Sequence, residues 1–318
     1  MKNWVLFQGI LFGLIGIVLV YLTFSKVSFG EVIGVIKTGN FYILIPIFIV
    51  SFLVLVIRVW RWKLLYKQSK IETNPIWLFH ALSIGYMVNF AVPRLGEITR
   101  TLILKKAENI PINQSLSTIV FERLVDILAL FTLILSAFVL EFFLGGGLLN
   151  HFTEGLELNL QSKLLYLSLF LLLVLLVLYL VYKNRKKFGN WFSELMDSFL
   201  NLFSMPHKTQ FIVSTVLIWL GFYLMTYLWI FMFPGSANLG MYPCFQVMVL
   251  GVIARTLPIQ AGSAGAYHYV VSTAFILLGT DESTSSALAI VIHGFQSVLI
   301  LLFGIISYIW FLYFGNKK

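Results

Sequence analysis

The feature that most restricts this chain is a series of apolar runs, each long enough to cross a bilayer, joined by short polar links. A spanning helix needs about 20 predominantly apolar residues to cross a hydrocarbon layer of ~30 Å. Runs of that order cover residues 4–24, 41–60, 115–144, 164–182, 211–233 and 287–314. Backbone groups in lipid must satisfy one another, and for unbroken apolar runs the helix is how they do so. Composition agrees: 59% of residues are hydrophobic and only 11% are charged, against about a quarter charged in soluble domains. The sequence therefore predicts an all-α polytopic membrane protein, a single transmembrane domain over residues 1–318. The first run reads as a span rather than a cleaved leader, because Tyr21-Leu22-Thr23-Phe24-Ser25-Lys26 offers no small-residue cleavage site.

Two regions are apolar but interrupted: 77–92, which ends at Pro93, and 243–278, which is broken around Pro258 to Gly265. Short hydrophobic segments broken by Pro and Gly are typical of re-entrant or discontinuous helices. Charge placement favours the re-entrant form. Arg58, Arg61, Lys63, Lys67 and Lys70 precede the first broken region, Arg94, Arg100, Lys105 and Lys106 lie in or after it, and Lys183, Arg185, Lys186, Lys187 and Lys208 form a third cluster. If the first region dips in and returns, all three clusters share one side, which the positive-inside rule makes cytoplasmic. The expected topology is six full spans plus two broken helical hairpins, with both termini cytoplasmic, in a bacterial inner membrane. Each half then reads span, hairpin, span, over about 41–144 and 211–314, and the hairpins open to opposite sides. That is an inverted repeat, with Pro93 and Gly96 as hinges of the first hairpin and Pro258, Gly262 and Gly265 of the second.

Charges near the first hairpin are out of place in such a chain. Arg94, Glu97 and Arg100 repeat every three residues and would form one stripe if helical. Glu122, Arg123 and Asp126 interrupt the apolar run that follows, with Glu122 and Asp126 four apart on one helical face and Arg123 and Asp126 three apart. Ionisable groups in spanning segments usually pair, face the bundle interior and mark a pathway or site. Guanidinium forks match phosphate oxygens, and carboxylates can hold those forks or accept from a cationic head group. A purely internal salt-bridge network is the competing reading.

Taken in order, Pro93-Arg94-Leu95-Gly96-Glu97 with Arg100, then Glu122-Arg123-Leu124-Val125-Asp126, then the Pro- and Gly-rich hairpin at Pro258 to Gly265, resemble the transmembrane region of bacterial lysylphosphatidylglycerol synthases and the integral membrane family sharing it. The resemblance covers almost the whole chain. It implies movement of phospholipid, aminoacylated in the synthases, between leaflets. The synthases carry a soluble aminoacyl-transfer domain after the membrane part, whereas this sequence ends at Lys318, so a transporter-like role rather than an enzyme is expected. A second departure is His268, which stands where the family often has Glu.

Arg255, which precedes Pro258, is a candidate partner of His268 or of a lipid phosphate. His293 and Gln296 share a face of the last span, as polar glue between helices or as a proton relay. The tract Arg58-Val59-Trp60-Arg61-Trp62 reads as interfacial anchoring, with Trp at the head-group level and Arg reaching for phosphates. The lone Cys244 excludes an intrachain disulfide, and the five His residues show no zinc spacing. No phosphate-binding Gly-x-x-x-x-Gly-Lys-Ser/Thr loop occurs, so no nucleotide cofactor is expected. The net charge of +9 sits beside apolar runs and points to anionic lipid, not nucleic acid. The expected partners are a membrane phospholipid or other anionic lipid and a separate lipid-modifying enzyme. Candidate substrate-binding residues are Arg94, Glu97, Arg100, Glu122, Arg123, Asp126, Arg255, His268, His293 and Gln296. A membrane-embedded transferase on lipid-linked substrates, or a lipid-binding scaffold, are the alternatives.

Overall fold

The computed structural model describes residues 18–23, 28–144, 206–256 and 260–315, with isolated positions between 148 and 183. Among the described residues the regular elements are helical: α1 (Phe29–Lys37), α2 (Leu44–Gln68), α3 (Pro75–Ala91), α4 (Leu95–Glu108), α5 (Ile112–Leu144), α6 (Lys208–Trp229), α7 (Met241–Thr256), α8 (Gln260–Leu277) and α9 (Glu282–Phe314). Four helical stretches are long and apolar enough to cross a membrane, Phe41–Gln68, Ile112–Glu141, Lys208–Met232 and Glu282–Phe314. They coincide with four of the six apolar runs in the sequence. The other two, 4–24 and 164–182, fall largely outside the described residues.

Local chemistry sets the helix ends. Asn74 caps α3 by accepting from the Ile76 amide at 2.9 Å, and Pro75 occupies the first turn, where its missing N–H costs nothing. The residue before Pro93, Val92, is extended, as a following proline requires, and α3 stops there. Arg94 is left-handed, with φ 69°, and turns the chain into α4, which ends on a second left-handed residue, Asn109.

The chain divides into two compact units: Met1–Ile119 together with Gln210–Lys318, and Val120–Thr209. Of the described helices, the second unit holds the greater part of α5. In the first, α2 and α6 run antiparallel. Gly221 admits Val54 where a Cβ would lie 2.3 Å from the valine methyl, and the Ser51 hydroxyl donates to the Met225 sulfur at 3.0 Å.

The broken regions are two pairs of packed helices, α3–α4 and α7–α8. In the first, a Cβ on Gly96 would fall 2.0 Å from the Gly85 carbonyl, so the two glycines let the backbones touch. At its base the Asn74 amide donates to Glu108 Oε1 at 2.8 Å, so the chain returns to the level at which it entered. At ~1.5 Å per residue, α3 and α4 are roughly 25 and 21 Å long, short of the ~30 Å layer. In the second hairpin Gly251 faces the ring of Tyr267.

Helix α9 sets the direction of both. Trp77 packs edge-on against Trp310 and Phe311, with centroids 4.6 and 6.1 Å apart, and Gly304 lies against Met87. The first hairpin therefore runs antiparallel to α9, its base at the C-terminal end. The second joins the N-terminal end of α9 through residues 278–281, and its tip reaches Gln296 by way of Arg255. The bases of the two hairpins lie at opposite ends of α9, and α8 packs against α3.

One expectation about the hinges changes. Gly96 lies within α4 and serves close approach rather than bending; the bend is at Val92–Arg94. Gly262 and Gly265 lie in α8 on either side of Ser263, which is left-handed with φ 64° and departs from helical backbone there, while Pro258 lies outside the described residues.

Candidate functional site

Helix α2 and the first hairpin carry cations into the interior. Arg61 and Arg100 are 0% and 1% exposed, beside the equally buried Trp62 and Tyr66. Removing a guanidinium from water costs several kcal/mol unless other groups replace its solvation. Here the Arg100 guanidinium lies 3.9 Å from the Trp62 ring centroid, a contact worth about 2 kcal/mol when desolvated. Gly85 makes room for it, since a Cβ there would lie 2.6 Å from Arg100 Cγ. Trp62 is itself fixed, its Nε1 donating to Thr118 Oγ1 at 3.0 Å. Arg61 donates to Thr215 Oγ1 at 3.4 Å and faces the ring of Phe211. Arg58 donates to the Tyr86 hydroxyl at 2.9 Å.

Interfacial anchoring therefore does not describe Arg61 and Trp62. Trp60 is exposed and fits that role, but its two successors point inward because α2 continues eight residues beyond the apolar run, as far as Gln68. These two residues stand beside the candidate site, although their tract reads in the sequence as an anchor. The signal in the sequence was the position of Arg61 three residues after Arg58, on the same helical face.

Arg94, Glu97 and Arg100 do not form one stripe. Arg94 is an exposed turn residue, whereas Glu97 is half-buried in the first turn of α4, where the helix dipole favours a carboxylate, and Arg100 is buried one turn later. In the second unit, Glu122 is 2% exposed, and Arg123 and Asp126 are half-buried on the same stretch of α5.

The second hairpin brings the remaining candidates together. Arg255 on α7 donates to Gln296 Oε1 on α9 and lies 4.3 Å from the Tyr267 ring centroid. The rings of His268 and His293 are 4.9 Å apart, and Tyr267 lies 5.6 Å from His293. Three helices are thus tied by polar and aromatic contacts. Both ring nitrogens of His268 are buried without a hydrogen bond. Helices α5 and α9 are of equal length. Each has 33 residues, Glu122 being the eleventh of α5 and His293 the twelfth of α9. Among the described residues, no three His, Cys, Asp or Glu side chains gather into a metal-binding group.

Long apolar helices, two short hairpins and buried cations define an all-α, multi-pass membrane protein. The chain belongs to the family of the lysylphosphatidylglycerol synthase TM region, whose model matches residues 9–304. It is also 32% identical over 126 residues to a UPF0104 membrane protein of Methanocaldococcus jannaschii, a match covering 39% of this chain and 37% of that relative. No solved structure matches.

Proposed function

We propose that this protein is a lipid transporter of the bacterial cytoplasmic membrane, binding an anionic or aminoacylated lipid head group in a charged intramembrane cavity. The observation that carries this reading is the entry of two hairpins from opposite ends of α9, each with guanidinium groups on or beside it. In a bilayer, two re-entrant hairpins in an inverted repeat would give access alternately from either face, as in transporters built from such repeats. The end of the bundle bearing Lys63, Lys67, Lys105 and Lys106 is then cytoplasmic, with both termini on that side. The head group moves along the polar path while its acyl tails remain in lipid. Arg100 and Arg255, with Arg94 at the turn, receive its phosphate, Glu97 lies in the same hairpin as Arg100, and on α5 Arg123 with Glu122 and Asp126 offers a guanidinium flanked by carboxylates. The family name supports a phospholipid as cargo. The protein itself performs no chemistry on the lipid and works alongside a separate lipid-modifying enzyme.

Purified protein in liposomes tests this. Labelled phospholipid should pass between leaflets at a rate that Glu122→Gln and Arg123→Ala abolish without impairing insertion. A covalently altered lipid would point instead to a transferase. Binding without transfer would leave a scaffold.

A further inference from the structure

The tip of the second hairpin holds groups that the packing of the bundle leaves partly unused. Arg255 is exposed, although its guanidinium lies over Tyr267 and meets Gln296. His268 lies on the next helix, and Arg255 and His293 are both close enough to act on it electrostatically. Its two ring nitrogens, one a donor and one an acceptor when neutral, are buried and make no hydrogen bond. A buried polar group without a partner costs about 1–3 kcal/mol, so an imidazole kept in this state has chemistry in reserve.

The surroundings specify which chemistry. Helices α3, α7 and α8 carry no Asp or Glu. On α9 the sole carboxylate is Glu282, its first residue, about eleven residues or roughly 16 Å of helix from His293. A head-group ammonium would meet Arg255 and two imidazoles with no carboxylate on these helices to balance it. A phosphate oxygen would meet a guanidinium fork and a free imidazole donor, with Gln296 holding the fork and Tyr267 supporting its face.

We infer that Arg255 and His268 form a phosphate site at the second hairpin that excludes amine-bearing head groups, so the cargo taken there is a phosphate ester without an aminoacyl group. The inference deepens the lipid-transport reading and rests on it for the identity of the carrier, but not for the phosphate. Binding there breaks the Arg255–Gln296 contact or shares it, and gives His268 its first hydrogen-bond partner.

The test measures equilibrium binding to the full-length protein in nanodiscs of zwitterionic lipid, using three probes: phosphatidylglycerol, its lysyl ester and inorganic phosphate. Phosphatidylglycerol should bind at least about tenfold more tightly than the lysyl ester. Arg255→Ala and His268→Ala should each weaken it by about ten- to a hundredfold, the range for hydrogen bonds to charged groups. His268→Gln, which keeps a donor, should retain most of the affinity, and His268→Glu should shift preference toward the lysyl ester. The two conservative variants also separate loss of contact from loss of fold. Inorganic phosphate binding that depends on Arg255 and His268, without lipid binding, would uphold the phosphate site and overturn the lipid reading. Lipid binding indifferent to both residues would leave the lipid reading standing and overturn this inference, as would equal affinity for the lysyl ester.

Discussion

Arg100 and Trp62 are both fully buried, and the guanidinium of one lies 3.9 Å from the ring centroid of the other. This pair joins α4 to α2 and holds a cation inside the bundle. Trp62→Phe preserves an aromatic face but removes the hydrogen bond to Thr118, whose hydroxyl still donates to the Ser115 carbonyl. Stability in detergent should fall by about 1 kcal/mol, read as a lowered unfolding midpoint. Trp62→Ala should cost about 3–5 kcal/mol, because it also opens a cavity under a buried charge.

The glycine contact within the first hairpin should be less tolerant than its neighbour. A Cβ at position 96 meets a backbone carbonyl at 2.0 Å, whereas a Cβ at position 85 first meets the movable Arg100 side chain at 2.6 Å. Gly96→Ala should therefore destabilise more than Gly85→Ala, by upwards of about 1–3 kcal/mol. Spin labels on α3 and α4 should report a wider hairpin in Gly96→Ala.

Packing between α2 and α6 predicts a strongly coupled pair. Gly221→Ala would clash with Val54 Cγ2, at 2.3 Å from the new Cβ, and Val54→Ala would relieve that clash. A double-mutant cycle on unfolding free energy should show a favourable coupling of about 1–2 kcal/mol. Strict additivity would mean the helices do not meet there.

At the start of α9, outside the spanning segment, Asp281 accepts from the Thr284 amide at 2.8 Å and from the Ser283 hydroxyl at 2.6 Å. Burial alone would raise its carboxyl, but these hydrogen bonds outweigh it and hold the folded-state value below the ordinary 3.8. The cap therefore stabilises fully above the unfolded-state value and is lost as pH falls through the lowered folded-state one. Asp281→Ala should cost about 1 kcal/mol at neutral pH. The gap between the two proteins should close on acidification below about pH 4.

The long helices were legible because lipid demands continuous apolar runs, and α2, α5, α6 and α9 lie where those runs lie. The first hairpin was legible from Pro93, since proline forces the preceding residue out of the helix. What could not be read were contacts decided across distant parts of the chain. Arg61 turns inward to Thr215 and Phe211, some 150 residues away, and although its spacing from Arg58 marks a shared face, nothing local names those partners. The role of Gly96 depends likewise on Gly85 being its neighbour across the turn. In the second hairpin, Arg255, His293 and Gln296 were each picked out, but their joining with Tyr267 required the packing of α7, α8 and α9.

Cysteine accessibility tests the central claim, that the hairpins open to opposite faces, most directly. In a variant lacking Cys244, single cysteines replace Glu72 and Asn109, flanking the first hairpin, and Leu239 and Gly279, flanking the second. In intact cells an impermeant maleimide should label positions 239 and 279 and leave 72 and 109 protected until the membrane is opened. Labelling of 72 and 109 from different faces, or of all four from one face, would contradict the account.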